Sequence, residues 1–534
     1  MFTTNLPWID ISIIIVYIVG ITWWGLKNAK NKNSNDYFLA GRSINWIVVG
    51  LSLFSASIST SALIGHSGST YQYGLVIFNY NLISIFVMIF FAWIFLPVYI
   101  KSGVFTMPEF LERRFDHRSK FYFSAIAIIG GIFMDVSSIL YGSAMIFKII
   151  FPELDIQVIV IIAALIVASY TIPGGLNSVI KTEVIQALIL IIGSVMLAAI
   201  ARQNVGGWDV LKQRFHDSVY LHLVRSSGDI AIPWPALFLA LPILGFYFWG
   251  NNQQLVQRVL SAKSVDHGRK GVLLTGLLTL LTLYFIFIPA MQAAVAFPNT
   301  NPVDGIYPKM VTSWMPNIFL GIMLAVMISA LTASLSATLN SVSTLFTMDF
   351  YRKMDKRANS KKLVRVGQLC STIVLIIGVL WAPQIQKFGT LINYYNELLS
   401  YIGPPIVAAF MLGLFWKRAN ATGIFYGLLS TFVMAAFMFF YGKEHLILSV
   451  QNPEAPLHWL YLAPINFVFV SLVMVVVSLL TTPPPAEKIE GYVITKQFFI
   501  EEAKSHKSIK FYADFRVWAV ALFILCFLVM LLYW

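Results

Sequence analysis

Fourteen apolar runs, each long enough to cross a bilayer, dominate the chain, and basic residues gather in every second loop between them. The runs lie near 8–26, 44–68, 78–100, 121–147, 156–172, 182–201, 234–255, 271–294, 316–348, 364–386, 391–416, 419–441, 458–481 and 515–534. A hydrocarbon core about 30 Å thick calls for about 20 helical residues. With no water there to satisfy the backbone, only helices or closed barrels can cross. Barrel strands would alternate apolar and polar residues, and these runs are continuous. Of the 534 residues, 58% are hydrophobic and 11% charged. The predicted class is an all-α integral membrane protein of about 14 transmembrane helices, with the lipid bilayer as its surroundings.

The net charge of +13 is explained by topology rather than by nucleic acid, because Lys and Arg collect in cytoplasmic loops. With the N-terminus outside, most of the 37 Lys and Arg fall in inner loops, among them Arg42, Arg113, Arg258 and Arg365. Both termini are then predicted on the outer side of a plasma (inner) membrane, in a multi-pass arrangement. The opening MFTTNLPWID has no basic n-region, so no signal peptide is expected. Cys370 and Cys526 both lie in apolar runs, which argues against a disulfide or cysteine metal site.

The predicted segments are a first outer helix and inner loop (1–43), a five-helix repeat (44–201), an outer connector (202–233), a second five-helix repeat (234–416), and three C-terminal helices (417–534) with inner loop 482–514. An odd number of spans inverts the second repeat relative to the first. Each repeat opens on an interrupted helix: SLFSASISTSALIG at 52–65 and PILGFYFWGNN at 242–252. Paired interrupted helices in two inverted halves point to a transporter binding site at mid-membrane. Small residues that only allow tight helix packing are the competing explanation, and the matched pair favours the first.

Enzyme chemistry has no foothold. No phosphate-binding loop, HExxH, CxxC or GxSxG motif is present. A hard cation such as Na+ takes oxygen ligands, and a broken helix supplies free carbonyls beside the hydroxyls of a neighbour. SLFSASISTS could offer the carbonyls, and ISALTASLSATLNSVST at 328–344 the hydroxyls. Acids within spans are functional candidates: Asp135 at mid-span, Glu183 near an inner end and Glu397 in an outer half. His66 reads as a packing or interfacial histidine. The FYFW run at 246–249 could cover a flat solute, or form an ordinary aromatic helix surface.

DYFLAGRSINW (36–46), SLFSASISTSALIGHSGS (52–69), FTMPEFLERRF (105–115), YTIPGGLNSVIKTEVIQ (170–186), QRVLSAKS (257–264), LNSVSTLFTMDFY (339–351) and PPIVAAFMLGLFWKRANATG (404–423) resemble the sodium/solute symporter family, closest to its sodium/glucose cotransporter branch. The resemblance implies a five-plus-five inverted-repeat core with broken helices, working by alternating access. It implies sodium ligands at the carbonyls of Ser55, Ile58 and Ala330 and at side-chain positions Ala333 and Ser334, with one hydroxyl missing at Ala333 and Thr332 or a water as its substitute. A second cation site or exit path is implied at Glu183 and Ser336, where Ala337 also lacks a hydroxyl. The solute pocket maps onto Ala62, Asn81, Ser84, Asp135, Gly245, Phe248, Trp249, Thr279 and Asn396. Several of these depart from the sugar-transporting pattern, including Thr279 where relatives carry lysine.

The expected function is sodium-coupled symport of a small polar organic solute: a sugar, polyol or modified sugar. Coupling to protons through Asp135 or Glu183, and an amino-acid-like or cationic solute suited to Asp135, are the alternatives within transport. A uniporter or channel, and a membrane sensor built on the same body, are the others.

Overall fold

Apolar side chains all round a segment remove any reason for it to choose one face, so the elements form as helices and the polar residues decide where they stop. In the computed structural model, residues 6–29, 33–151, 153–216, 218–388, 391–446, 457–505 and 510–534 are described. The remaining parts of the expected segments, including residue 217 of the outer connector and 506–509 of the inner loop, lie outside the described residues. Among the described residues the chain is helical, and its one β feature is an isolated bridge between Ile44 and Ala262.

Eleven helical stretches among the described residues are long and apolar enough to cross a membrane. Three further crossings are disguised, which accounts for the expected number of about 14. Helix Ile156–Val205 has 50 residues, about 75 Å if straight, more than twice the bilayer core. It breaks at Gly175 (φ 59°, ψ −167°), just after Pro173, and is two crossings. Trp46–Ser57 and Thr60–Tyr73 make one crossing interrupted at Ile58 and Ser59. Leu241–Phe246, the π-helical turn Tyr247–Asn251 and Gln253–Leu260 make another, interrupted at Asn252.

Each interruption is capped by its own polar residue. Ile58 leaves helical geometry (φ −98°, ψ 87°), Ser59 is extended, and Ser59 Oγ accepts from Ala62 N at 3.0 Å. Asn252 is extended (φ −64°, ψ 119°) and its Oδ1 accepts from Gln254 N at 2.8 Å. These are N-caps inside a membrane span, which let a new helix start without orphaned amides. The two broken helices run antiparallel: Ile44 N donates to Ser261 O at 3.1 Å, and Lys263 N to Ile44 O at 3.0 Å. The start of one is thereby stitched to the end of the other. Helix Phe319–Leu345 is buried along nearly its whole length and packs against the first broken helix, the second, and Ile156–Val205.

The loops sort into two ends. At the basic end, Arg42 donates to the Gly103 and Val104 carbonyls at 2.8 and 3.0 Å. There Lys120 pairs with Asp349 at 3.0 Å and Arg269 with Glu502 at 2.6 Å. At the opposite end, Asp10 Oδ1 accepts from Ile318 N and Gly321 N, both at 2.8 Å. Leu223 N there donates to Tyr533 O at 2.8 Å. The first helix begins, the last helix ends, and the connector 202–233 lies at this same end. The connector carries the short helix Trp208–Arg214, and loop 482–514 carries Lys496–Ser505.

The turn at Gly175 explains part of the DYFLAGR motif. Tyr37 is fully buried against it and donates its hydroxyl to Ile172 O at 2.9 Å. A Cβ added to Gly175 would lie 2.5 Å from the Tyr37 ring, on a backbone that L-residues rarely adopt. Gly175→Ala is therefore expected to cost about 1–3 kcal/mol in backbone strain alone. It should lower the thermal unfolding midpoint of the detergent-purified protein, whereas an unchanged midpoint would show that the turn tolerates a side chain.

Candidate functional site

Where the chain stops being helical at Ile58, carbonyls lose the amide four residues on that a continuous helix would supply. For Ser55 that amide belongs to Ser59, which is extended. For Ile58 it belongs to Ala62, whose N–H turns to Ser59 Oγ instead. Helix Phe319–Leu345 passes beside this gap. Ser334 Oγ donates to Ala56 O at 3.2 Å, and Gln254 Nε2, from just beyond the second break, donates to the same carbonyl at 3.3 Å. Thr338 Oγ1 donates to Gln254 Oε1 at 3.0 Å. One carbonyl thus joins both broken helices to the central helix. Ser55, Ile58, Ala330, Ala333 and Ser334 are all buried. Thr332 points elsewhere: it accepts from Gln186 Nε2 at 2.7 Å and donates to Ser329 O at 3.2 Å. Two positions apart on a helix are about 200° apart in direction, so Thr332 does not stand in for the hydroxyl missing at Ala333.

A cavity of about 200 Å³ opens at the level of both breaks. Its wall contains all nine expected solute residues, Ala62, Asn81, Ser84, Asp135, Gly245, Phe248, Trp249, Thr279 and Asn396. Ile58 and Ser334 also reach it, so the break itself is part of the wall. Tyr395 Oη donates to Asp135 Oδ1 at 3.1 Å. Asn81 Nδ2 donates to Thr282 Oγ1 at 2.9 Å. Phe248 and Trp249 meet edge to face, ring centres 5.3 Å apart. Asp135 lies in the π-helical turn Gly131–Val136, and Phe248 and Trp249 in Tyr247–Asn251. Such turns widen a helix and are often found at functional sites.

His66, Tyr80, Gln254, Thr282 and Tyr395 line the cavity too and were not anticipated as site residues. The expectation for His66 is a packing or interfacial histidine. It sits on the wall with its ring 5.5 Å from Phe287, and its buried Nδ1 has no hydrogen-bond partner among the described residues. The sequence held a signal for two of these: Gln254 follows a break within an amide run, NNQQ, and Tyr395 adjoins Asn396. Glu397, the acid that follows Asn396, is not in the wall.

A buried ion pair lies next to the cavity wall. Gln254 is a wall residue, and one turn further along its helix Arg258 donates to the Gln254 carbonyl and to Glu183. Arg258 Nε reaches Glu183 Oε2 at 3.0 Å, and Ser52 Oγ donates to the same oxygen. Glu183 and Arg258 are completely buried. Three elements meet there: the basic-end halves of both broken helices and Ile156–Val205. Ser336 is not among the hydrogen-bond partners of Glu183 in this arrangement. Its hydroxyl is bonded to Tyr170 Oη at 2.9 Å and Thr171 Oγ1 at 2.7 Å.

The sequence and the fold both have known relatives. The family model "Sodium:solute symporter family" matches residues 37–430. The sodium/glucose cotransporter 1 of Oryctolagus cuniculus is 32% identical over 526 residues, covering 89% of this chain and 79% of that protein. The sodium/myo-inositol cotransporter of Homo sapiens is 32% identical over 535 residues, covering 90% and 74%. Among solved structures, a substrate-bound, outward-open Na+-coupled sialic acid symporter superposes with a TM-score of 0.78 at 22% identity, covering 89% of this chain and 99% of that one. A nucleobase-cation-symport-1 family transporter in a closed conformation gives 0.56 at 12% identity, covering 87% and 99%; at these identities both speak for the fold alone. The chain is a multi-pass membrane transporter rather than an enzyme, sodium is its coupling ion, and it belongs to the sodium:solute symporter family.

Proposed function

We propose that this protein imports a small hydroxylated solute, a sugar, polyol or modified sugar, together with sodium. Its curated relatives carry glucose or myo-inositol, and the cavity of about 200 Å³ is smaller than the roughly 300–1,000 Å³ of drug-sized sites. Amides and hydroxyls at Asn81, Ser84, Thr279 and Asn396 offer both donors and acceptors. Trp249 offers an apolar face. The basic end is taken as cytoplasmic by the positive-inside bias, which puts both termini outside the plasma membrane.

What supports this is that Ile58 of the helix break and Ser334, which donates to the Ala56 carbonyl beside it, both line the cavity. Sodium held by the carbonyls of Ser55, Ile58 and Ala330 and by Ser334 Oγ would join the first broken helix to the central helix. It would thereby complete the wall that the solute meets. Binding of each then favours the other, and the coupling is reciprocal. Inward movement of the ion contributes about 2.3 kcal/mol per charge per 100 mV. Glu183 and Ser336 have separate partners, which favours one sodium per solute, with Glu183 serving as part of the inner closure on the exit path. Proton coupling through Glu183 would first require breaking its pair with Arg258.

Alternating access follows from the same groups. While Glu183, Arg258 and Ser52 hold together, the inner halves of both broken helices are locked and the cavity is shut from the cytoplasm. Release inward requires that cluster to part.

In proteoliposomes, uptake of glucose or myo-inositol is expected to need an inward sodium gradient. Equal uptake with sodium replaced by potassium, driven by a proton gradient, would refute this. Ser334→Ala should raise the sodium concentration for half-maximal uptake roughly tenfold, the ~1.4 kcal/mol of one lost ligand. An unaltered sodium dependence would remove Ser334 from the site. Glu183→Ala leaves Arg258 buried and unpaired, a loss of about 3–5 kcal/mol, whereas replacing both by apolar residues of similar volume is far milder. The single variant should therefore unfold at a clearly lower temperature than Glu183→Leu/Arg258→Met, and equal midpoints would show that the pair does not close this end.

A further inference from the structure

The cavity has an unbalanced charge. Asp135 is one of its wall residues, and no Lys or Arg lines it among the described residues. The groups that face the carboxylate from neighbouring elements are phenols: Tyr395, which donates to it at 3.1 Å, and Tyr247 of the second broken helix, within electrostatic range. The histidine in the wall, His66, is packed beside Tyr80 and Phe287. Other buried acids of this protein are differently placed. Glu183 is paired with Arg258, and Asp349 with Lys120, Thr106 and Ser124. Asp10 accepts from two backbone amides. A carboxylate in a membrane span is expensive without a partner, and its presence marks a place where a cation comes and goes.

We propose that the solute supplies that cation: it is a hydroxylated amine, an amino polyol or amino sugar, whose ammonium pairs with Asp135 while its hydroxyls meet Asn81, Ser84 and Asn396. This rests on the cavity being the solute site. The ammonium replaces its hydration with a carboxylate oxygen already oriented by Tyr395, the kind of pre-set, charge-assisted hydrogen bond that is strongest where water is excluded. A solute bearing a carboxylate finds no basic side chain in the wall and is repelled by Asp135. The charge-matched solute is thus selected, and the anionic one rejected, by the same residue.

The test uses the purified full-length protein and matched pairs of probes at neutral pH: glucamine against sorbitol, and inosamine against myo-inositol, each also in N-acetylated form. Binding is read by titration calorimetry with and without sodium. At least one amine is expected to bind on the order of tenfold or more tightly than its neutral twin. Acetylation, which removes the charge and keeps the shape nearby, should erase that advantage. Asp135→Asn should bring the amine-to-neutral ratio close to one. A neutral twin that binds as well as the amine, no binding by either member of both pairs, or an amine preference that survives Asp135→Asn each overturns the proposal. The wild-type comparison of amine, neutral and acetylated probes decides the matter by itself should the variant fail to fold. An amine affinity that is the same with and without sodium would instead refute sodium coupling at this cavity and leave the charge assignment standing.

Discussion

A backbone carbonyl without a donor inside a bilayer costs several kcal/mol, and this fold is organised around a place where the chain accepts that risk. Between Ser57 and Thr60 the helix stops and restarts. The new start is rescued by Ser59, and the Ala56 carbonyl is taken by Ser334 and Gln254 from two other elements. The break therefore cannot exist in isolation: it requires the central helix on one side and the second break on the other. The crowd of hydroxyls around it is then intelligible, because serine destabilises a continuous helix only slightly and satisfies an interrupted one well.

The same dependence links the break to the closure at the basic end. The half-helix Trp46–Ser57 ends at the carbonyls proposed to hold sodium and carries Ser52 against Glu183. The half-helix Gln253–Leu260 begins at Gln254 and carries Arg258 to the same carboxylate. Each short rod reaches the cavity at its broken end and the buried ion pair about one turn further along. A rod of this length moves as a unit, so a change in how its cavity end is held bears on the ion pair about one turn away. Two discrete packings biased by ligands, rather than continuous deformation, are what packed interiors allow.

The spans, their alternation and the two breaks were legible because each rests on a local property: apolar length, loop charge and clustered helix-weakening residues. Asp135 and the FYFW aromatics stand out as residue types within spans, the other wall residues follow from resemblance, and the structure gathers all nine in one cavity. What was not legible is rotation. In a soluble helix the apolar stripe tells which side is in; here every side is apolar and no stripe exists. Thr332 and Ser334 look equivalent in sequence, yet one faces Gln186 and the other the break. His66 and Tyr395 were hidden for the same reason. The partner of Glu183 lies 75 residues away on a different element, a separation that no motif spans.

The missing hydroxyl at Ala333 bears on how tightly such a carrier should hold its ion. If sodium sits among the carbonyls of Ser55, Ile58 and Ala330 with Ser334 as its one side-chain ligand, the site is neutral and has no carboxylate to retain the ion. Tight binding on both sides of the membrane would contribute nothing to transport, since only differential affinity between the two states shifts them. A neutral site of few ligands, completed by a helix break that can open, holds sodium while the inner cluster is closed. Were the half-helix Trp46–Ser57 to move away from Ser334, such a site would lose ligands. The weakness at position 333 is then compatible with coupling, because what must differ between the states is the distance between the break and Ser334, and that distance is set by the fold rather than by the number of hydroxyls.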